Sequence, residues 1–446
     1  MSMPSLQDGI DQAGSPVDLL WKPNAAPWTP EVVEREYAGW RREQAAWHDG
    51  VAILNLSHHM FDLFIEGPDA TRLLADHGAN NFENFAIGQA KQYIPVTADG
   101  NIVTDGILAR EAVDRYTLSG IPAAQHWVQY HAEKGGYDVS FTTDPSSAFR
   151  NGGGDPVLFR YQVQGPLALD LIARAFGGPL PETKFFHSAP VTLDGREFHA
   201  LRHGMAGQAG YEFIGPWEHA EAVHEALLKA GEPLGVVRVG ALAYATPSVE
   251  SGWIPSPVPG IYTDPALLEY RRQLPLFGIE GKRPLNGSLY SPDIEDYYVT
   301  PYELGYGKMV SFSHDFLGRD ALLALRDSPR RTKVTLVFDG QDVRRVLGED
   351  PGFVLTYARN RVESAKGLVG VTMQAATIDP AGAILALALV DGEHAVPGTE
   401  VAVVWGEHPG AGTDPEADLG FPRIRATVQP APYNQHARTA YRSNNT

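Results

Sequence analysis

The sequence contains no cysteine among its 446 residues. This absence excludes disulfide bonds, thiolate metal sites and cysteine nucleophiles, and it leaves the redox environment of the protein undetermined. The sequence also lacks the GxxxxGK[ST] pattern of a phosphate-binding loop and the HExxH pattern of a zinc enzyme. We therefore predict neither a nucleotide phosphate site nor a metal site.

Long apolar runs and an excess of positive charge are also missing. The longest apolar run, residues 383–390, is far too short to span a bilayer. The opening MSMPSLQDGIDQAG has neither the basic nor the apolar region of a secretory signal. The net charge of −18 argues against a polyanion as the main partner. We expect a cytoplasmic protein without a nucleic-acid or membrane partner, and no obligate protein partner is evident.

The order of the predicted elements indicates the fold class. Residues 1–30 are rich in proline, glycine and aspartate, which favours an extension over the surface, and helical spacing of apolar residues predicts a helix over 31–47. Strands and helices then alternate up to about residue 326, whereas short strands without long helices follow. The pattern predicts an α+β protein with an extension at 1–35, mixed domains at 36–326 and an all-β barrel or sandwich at 327–446.

The segment LRHGMAGQAGYEFIGPW at 201–217 is the most distinctive stretch of the sequence. Gly204, Gly207 and Gly210 allow a tight turn or the close approach of a flat ligand. A short strand follows, and it carries Glu212 among apolar residues. From the pattern alone, a glutamate on the solvent-facing side of the strand is the simpler interpretation, because charged groups are seldom buried without a partner.

Other candidate residues are scattered along the chain. His58 and His59 interrupt a predicted strand, and neighbours on a strand point in opposite directions, so only one of them can face a given site. Asp105 follows a predicted hairpin turn, where aspartate is common. Tyr244 and Trp253 lie in a proline-rich segment. Taken alone, all of these residues are equally consistent with structural roles.

A set of short blocks, however, occurs in one order along the chain: SHHM at 57–60, AKQY at 90–93, PAA at 122–124, QGP at 164–166, RHGMAG at 202–207, ESGWIPSP at 250–257 and EDYY at 295–298. With these blocks, residues 40–323 resemble the tetrahydrofolate-dependent aryl O-demethylases, a branch of the aminomethyltransferase (glycine-cleavage T-protein) family. The resemblance implies the aminomethyltransferase fold, with three domains in a ring and tetrahydrofolate at the centre.

The resemblance also implies a binding site for the cofactor. Glu212 and Gln164 would hold the pterin ring, because a carboxylate can accept parallel N–H bonds from its edge. Trp253 would pack near the pterin, and Tyr93 belongs to one of the shared blocks and is expected in the cofactor site.

Catalytic and substrate-binding roles follow from the same resemblance. Tyr244 matches a tyrosine beside the aryl oxygen, and His59 matches a histidine of the substrate pocket. Asp105 matches an aspartate that faces the reacting nitrogen of folate. The substrate pocket would also include three further residues: Leu56, His58 and Ile121.

Three departures from this branch bear on the substrate. Gly120 or Ile121 stands where vanillate and syringate demethylases carry an arginine, Leu56 stands for a glutamine, and Pro30 stands for a tyrosine. A carboxylate would lack a counter-charge there, which is costly. We therefore expect a neutral substrate. In these departures the sequence resembles the sesamin-metabolising branch most.

The expected reaction moves the methylene bridge of a methylenedioxyphenyl lignan such as sesamin to tetrahydrofolate, giving a catechol and 5,10-methylenetetrahydrofolate. One alternative is O-demethylation of a vanillate- or syringate-type compound, which gives 5-methyltetrahydrofolate. Another is a folate-binding protein of the same fold without catalysis, since fold alone does not fix function.

Overall fold

The computed structural model describes residues 3–30, 32–145, 154–255 and 257–442. Its strands, in chain order, are β1 (Ala52–Asn55), β2 (Phe61–Glu66), β3 (Ala90–Tyr93), β4 (Gly106–Arg110), β5 (Arg115–Gly120), β6 (Ser140–Asp144), β7 (Leu158–Gln164), β8 (Ser188–Leu193), β9 (Arg196–Leu201), β10 (Gly210–Pro216), β11 (Val237–Val239), β12 (Thr332–Phe338), β13 (Leu355–Thr356), β14 (Arg361–Ser364), β15 (Gly367–Ile378), β16 (Ala383–Val390), β17 (Glu400–Val404) and β18 (Arg423–Pro430).

Its α-helices, also in chain order, are α1 (Leu6–Ala13), α2 (Pro16–Leu20), α3 (Trp40–Asp49), α4 (Ala70–Asp76), α5 (Ala123–Gly135), α6 (Ala168–Phe176), α7 (Ala220–Gly231), α8 (Ala241–Tyr244), α9 (Pro247–Ser251), α10 (Leu268–Gln273), α11 (Ile279–Lys282), α12 (Arg319–Leu325), α13 (Gly340–Leu347) and α14 (Gln435–Thr439).

The first sheet has the strand order β11-β1-β7-β10-β9-β8. Only the β1–β11 pair among its described pairings is parallel. Phe213 of β10 packs in a core with Leu171 of α6 and Leu227 of α7, so these helices cover one face. Because side chains alternate along a strand, Gln162 and Glu212, which are partners in the β7–β10 register, lie on the opposite face.

The second sheet has the order β3-β4-β5-β2-β6 and is antiparallel throughout its described pairings. Leu63 of β2 packs with Leu74 of α4 and Val128 of α5, so these helices cover one of its faces. Asp62 of β2, next to Leu63 in the chain, faces the other way. It pairs with Arg160 of β7 and so joins the two sheets.

The third sheet forms the C-terminal barrel. Its order is β13-β15-β14-β17-β18-β12-β16, and an additional β15–β16 pairing closes it. The predicted strands and the predicted α+β class are confirmed. Helix α13 was not predicted; the Asp339 carboxylate begins it by accepting hydrogen bonds from two backbone N–H groups of its first turn.

The N-terminal segment does not form the predicted surface extension. Helices α1 and α2 bury Leu6, Val17 and Leu20 in a core cluster with aromatic residues from the middle of the chain. Ser5 and Ser15 cap the two helices with their side chains. An aspartate follows each serine by three positions, which is a capping pattern that was readable in the sequence.

The helix predicted over 31–47 is shorter in the structure, and residue 31 lies outside the described residues. Helix α3 begins only at Trp40, because Gly39 has a φ of 86°, which is left-handed backbone. The buried Glu43 carboxylate accepts hydrogen bonds from the N–H groups of Tyr37 and Ala38 at 2.6 and 2.8 Å, which fixes the preceding residues in a turn.

Two histidines stack between α4 and α5 and suggest a source of acid sensitivity. The rings of His77 and His131 lie 4.0 Å apart. Burial lowers the pKa of His77 to about 4 and that of His131 to about 3. The unfolded chain therefore binds more protons than the folded chain below the ordinary histidine pKa of 6.5, and stability is lost as the pH falls toward 4.

We predict that His77→Gln makes the decline of unfolding free energy between pH 6.5 and 4 shallower, by up to about 3 kcal/mol over this range. Denaturant unfolding followed by circular dichroism at several pH values measures this slope. His199→Gln, at an exposed position, serves as the control. An unchanged slope in His77→Gln would show that the stacked pair is not a source of the acid sensitivity.

Candidate active site

One large cavity, here called the central cavity, lies where the first two sheets meet the connection between β11 and β12. Its volume is about 1980 Å³, which exceeds the roughly 300–1,000 Å³ of a typical small-molecule site. The structure therefore has room for two ligands at once. Seven of the predicted site residues line it: Leu56, His59, Asp105, Ile121, Glu212, Tyr244 and Trp253.

Tyr244 and His59 form a close pair on the cavity wall. Tyr244 ends the short helix α8, and His59 lies in the turn between β1 and β2. The Tyr244 hydroxyl lies 2.5 Å from His59 Nε2. Burial, followed by the nearby Arg160 charge, lowers the pKa of His59 to about 3, while burial raises the pKa of Tyr244. Both groups are therefore uncharged at neutral pH, and one of them donates the hydrogen bond.

Asp105 is the second polar centre of the cavity and is only 4% exposed. Its Oδ2 accepts hydrogen bonds from Trp253 Nε1 at 2.8 Å, from the Tyr306 hydroxyl at 2.6 Å and from Gln92 Nε2. Burial raises the pKa of Asp105, although these three hydrogen bonds oppose the rise. The carboxylate is thus held in one orientation and is more basic than an ordinary aspartate.

Glu212 is also buried, with 6% exposure. The face of the sheet opposite α6 and α7 borders the cavity rather than solvent, which overturns the simpler interpretation of the pattern. Glu212 Oε1 lies 3.9 Å from Arg160 Nε, and Glu212 Oε2 accepts a hydrogen bond from Gln162 Nε2 at 3.4 Å. Burial raises its pKa against the Arg160 charge. Since both contacts are long, the carboxylate can accept better hydrogen bonds from a ligand.

Arg160 connects this carboxylate to the second sheet. Its guanidinium forms a bidentate pair with Asp62 at 2.8 and 2.9 Å and also donates to the Ser119 hydroxyl at 3.1 Å. Removing Asp62 would leave a buried charge without its partner, which typically costs about 3–5 kcal/mol. The position of Glu212 therefore depends on an ion pair between two sheets.

Three predicted site residues do not line the cavity. Tyr93 is fully buried, and its hydroxyl donates to the Leu74 carbonyl at 3.1 Å. The His58 ring packs edge-on against Trp217 at 5.3 Å, because adjacent residues point in opposite directions. The structure thus gives Tyr93 and His58 packing contacts rather than ligand contacts.

Gln164, the third of these residues, braces the glycine-rich turn. Its Oε1 accepts from the Ala206 N–H at 2.8 Å, and its Nε2 donates to the Gln208 carbonyl at 3.2 Å. A Cβ at Gly204 would lie 1.0 Å from Gln164 Nε2, so a larger residue there would displace the Gln164 side chain. Gln164 therefore shapes the turn that leads to Glu212, and its predicted contact with the pterin stays a prediction.

Sequence reasoning also missed residues that line the cavity. Arg160 lines the cavity, and Gln162 contacts the Glu212 carboxylate. Both alternate with apolar residues on β7, and this period-two pattern was a usable signal. Trp28 borders the cavity, with its ring 6.2 Å from that of His59, whereas Pro30, which we had matched to a pocket tyrosine, does not.

The described ranges contain neither a metal-binding cluster nor a membrane-spanning helix. No group of three or more histidine, aspartate or glutamate side chains is placed to hold a metal ion within those residues. In the same residues, no helix has the length and apolar character needed to cross a membrane.

Comparison with known proteins places this geometry in a family. The family model "GCVT N-terminal domain" matches residues 23–256. A syringate O-demethylase from Sphingobium sp. is 39% identical over 453 residues, covering 98% of this chain and 97% of the relative. The chain belongs to the aminomethyltransferase family. A sesamin methylene transferase from Sinomonas sp. is 29% identical over 90% of each chain.

A solved member of the aminomethyltransferase family has the same fold. The glycine cleavage system aminomethyltransferase T from Bartonella henselae superimposes with a TM-score of 0.63, covering 90% of this chain and 91% of that chain at 20% identity. The predicted aminomethyltransferase fold, one-carbon transferase activity and tetrahydrofolate cofactor are confirmed. The domain boundaries, the site roles, the cytoplasmic location and the absence of an obligate protein partner stay predictions.

We predict that Glu212→Gln weakens tetrahydrofolate binding more than tenfold, because a charge-assisted hydrogen bond contributes roughly 1.5–3 kcal/mol. Calorimetric titration measures the affinity. Glu197→Gln, an exposed acid that lines the same cavity, is the matched control. Equal affinities in wild type and Glu212→Gln would remove Glu212 from the cofactor site.

Proposed function

We propose that this aminomethyltransferase-family chain demethylates a methoxylated aromatic compound, with tetrahydrofolate as the acceptor. The observation that carries the proposal is the Tyr244–His59 pair, which lies in the same cavity as two buried carboxylates, Asp105 and Glu212. The 39% identity to a syringate O-demethylase over almost the whole chain supports an aromatic methyl ether as the substrate.

The residues present fit tetrahydrofolate. Glu212 offers a buried carboxylate whose contacts to Gln162 and Arg160 are long, so it can accept N–H bonds from the edge of a pterin. The indole of Trp253 lines the same cavity and is hydrogen-bonded to Asp105. When bound, tetrahydrofolate supplies the nitrogen that accepts the one-carbon unit.

The Tyr244–His59 pair would stabilise the departing aryl oxygen. An aryl oxide leaves slowly unless its developing charge is met by hydrogen bonds or a proton. The Tyr244 hydroxyl has one hydrogen, so it can donate to the substrate oxygen only while it accepts from His59 Nε2–H. Because burial raises the pKa of Tyr244, we assign it hydrogen-bond donation rather than full proton transfer.

Asp105 would act on the folate nitrogen that accepts the one-carbon unit. Its carboxylate is fixed by three donors and has a raised pKa through burial. A fixed negative charge stabilises positive charge that develops beside it, and a raised pKa lets it take up a proton. Asp105 is therefore suited to the nitrogen side of the transfer.

We predict that Tyr244→Phe lowers kcat by about 10²-fold or more and leaves the affinity for tetrahydrofolate nearly unchanged. The hydroxyl is proposed to meet charge that develops only in the transition state, so its loss lowers kcat. Steady-state kinetics and calorimetry separate the two effects. If kcat stays near wild type, another group stabilises the leaving oxygen, and His59→Gln tests the first candidate.

A second candidate function is methylene transfer from a neutral methylenedioxyphenyl compound. Leu56 and Ile121 both line the cavity. They stand at positions where the resemblance implies polar side chains in the demethylases that bind a carboxylate. Burial of apolar ligand surface against them is favourable by about 25 cal/mol per Å². The 29% identity to a sesamin methylene transferase also agrees with this candidate.

We predict that the enzyme converts syringate faster than sesamin at equal concentrations and saturating tetrahydrofolate, and that 5-methyltetrahydrofolate is the folate product. Mass spectrometry of the folate pool distinguishes the methyl product from 5,10-methylenetetrahydrofolate. Faster conversion of sesamin with the methylene product would favour the second candidate. Conversion of neither compound would argue against both substrates.

A further inference from the structure

Two arginines, one buried and one half-buried, line the central cavity and take no part in the mechanism above. Arg359 lies between β13 and β14 and is only 3% exposed. Arg283 directly follows α11. Both residues line the cavity.

Neither arginine has an acidic partner in the described part of the chain. No ion pair joins Arg283 or Arg359 to a carboxylate there, whereas two buried arginines elsewhere are paired, Arg160 with Asp62 at 2.8 Å and Arg331 with Glu303 at 2.7 Å. Arg271, which is also buried, has no ion pair in the described residues either, but it donates to the Gln7 side chain and to two carbonyls and does not line the cavity. Among these arginines, Arg283 and Arg359 are the ones that line the cavity without an acid.

Their existing hydrogen bonds leave donors free. Nη1 of Arg359 donates to the carbonyls of Tyr357 and Met373, both at 2.8 Å, while its Nε is buried without a hydrogen-bond partner among the described residues. Nη2 of Arg283 donates to the Pro255 carbonyl at 3.3 Å. A guanidinium has five N–H donors, so each group retains donors for a ligand.

The positive charges of Arg283 and Arg359 indicate that their missing partner is an anion. Burial first, and then repulsion from Arg359, lowers the pKa of Arg283 to about 9. Burying two cations near each other is unfavourable unless an anion joins them. A carboxylate matches the planar fork of a guanidinium and forms two parallel hydrogen bonds with it.

We propose that Arg283 and Arg359 form a carboxylate-binding site in the central cavity and that its ligand is the acid group of the aromatic substrate. Nη1 of Arg359 donates to the Tyr357 carbonyl at 2.8 Å, and Tyr357 lines the same cavity as the Tyr244–His59 pair. The identity of the aromatic acid rests on the proposed function. The glutamate of folate carries the same chemistry, and the experiment below separates the two sources.

The test measures binding without turnover. Syringate and its amide are titrated by calorimetry into protein saturated with 5-methyltetrahydrofolate, the proposed product, whose N5 already carries the methyl group. Tetrahydrofolate and tetrahydropteroate, which lacks the glutamate, are titrated separately. Arg283→Met is compared with Lys282→Met, which removes an adjacent, exposed cation that lines the same cavity.

We expect Arg283→Met to bind syringate about tenfold more weakly or worse, with little change for the amide, because only the acid forms a charge-assisted pair. Lys282→Met should bind both like wild type. Arg283→Lys keeps the charge but loses the planar fork, so we expect a smaller loss; it also provides the test if the methionine variant does not fold.

The other outcomes are equally informative. A loss for tetrahydrofolate but not for tetrahydropteroate, with syringate unchanged, would keep the carboxylate site and assign it to folate. The carboxylate site would be overturned if Arg283→Met bound all four ligands with wild-type affinity. Equal losses of affinity for syringate and its amide, without any effect on folate binding, would also overturn it. Intact binding without demethylation would refute the proposed function and leave the carboxylate site standing.

Discussion

The buried ion pair between Arg160 and Asp62 is the interaction on which the site depends. Arg160 belongs to the first sheet and Asp62 to the second, so the pair fixes the distance between the two walls of the central cavity. Arg160 also lies near Glu212, with 3.9 Å between Arg160 Nε and Glu212 Oε1. Because Asp62 takes the short bidentate contacts, Glu212 keeps its acceptor capacity and still remains in a positive potential that favours its ionised form.

Different parts of the cavity wall differ in polarity, although no wall separates them. Asp105 is surrounded by donors and Glu212 lies near a cation, which suits a polar, nitrogen-rich ring. Two apolar side chains lie beside the Tyr244–His59 pair: Leu56 shares a core cluster with Tyr244, and the Trp28 ring lies 6.2 Å from that of His59. Such surroundings strengthen a hydrogen bond to a developing oxyanion, because water does not compete for it.

The charge of the substrate is predicted differently by the sequence and by the proposed arginine site. The prediction of a neutral substrate rested on positions 56 and 120–121, where the expected polar side chains are absent. The cavity nevertheless contains Arg283 and Arg359, which come from other segments. An alignment compares equivalent positions, whereas a carboxylate responds to any guanidinium that the fold brings within reach.

The sequence alone determined what depends on local pattern and on motif order: the α+β class, the strands of the barrel, the family, and the glycine-rich turn before Glu212. Only the tertiary structure decided which side chains share a cavity. It showed that Gln164 braces a turn, that Tyr93 and His58 pack elsewhere, and that Glu212 faces a ligand space rather than solvent. The physical reason is that alternation along a strand gives the direction of a side chain, but the elements packed against that face decide whether it meets water, core or ligand.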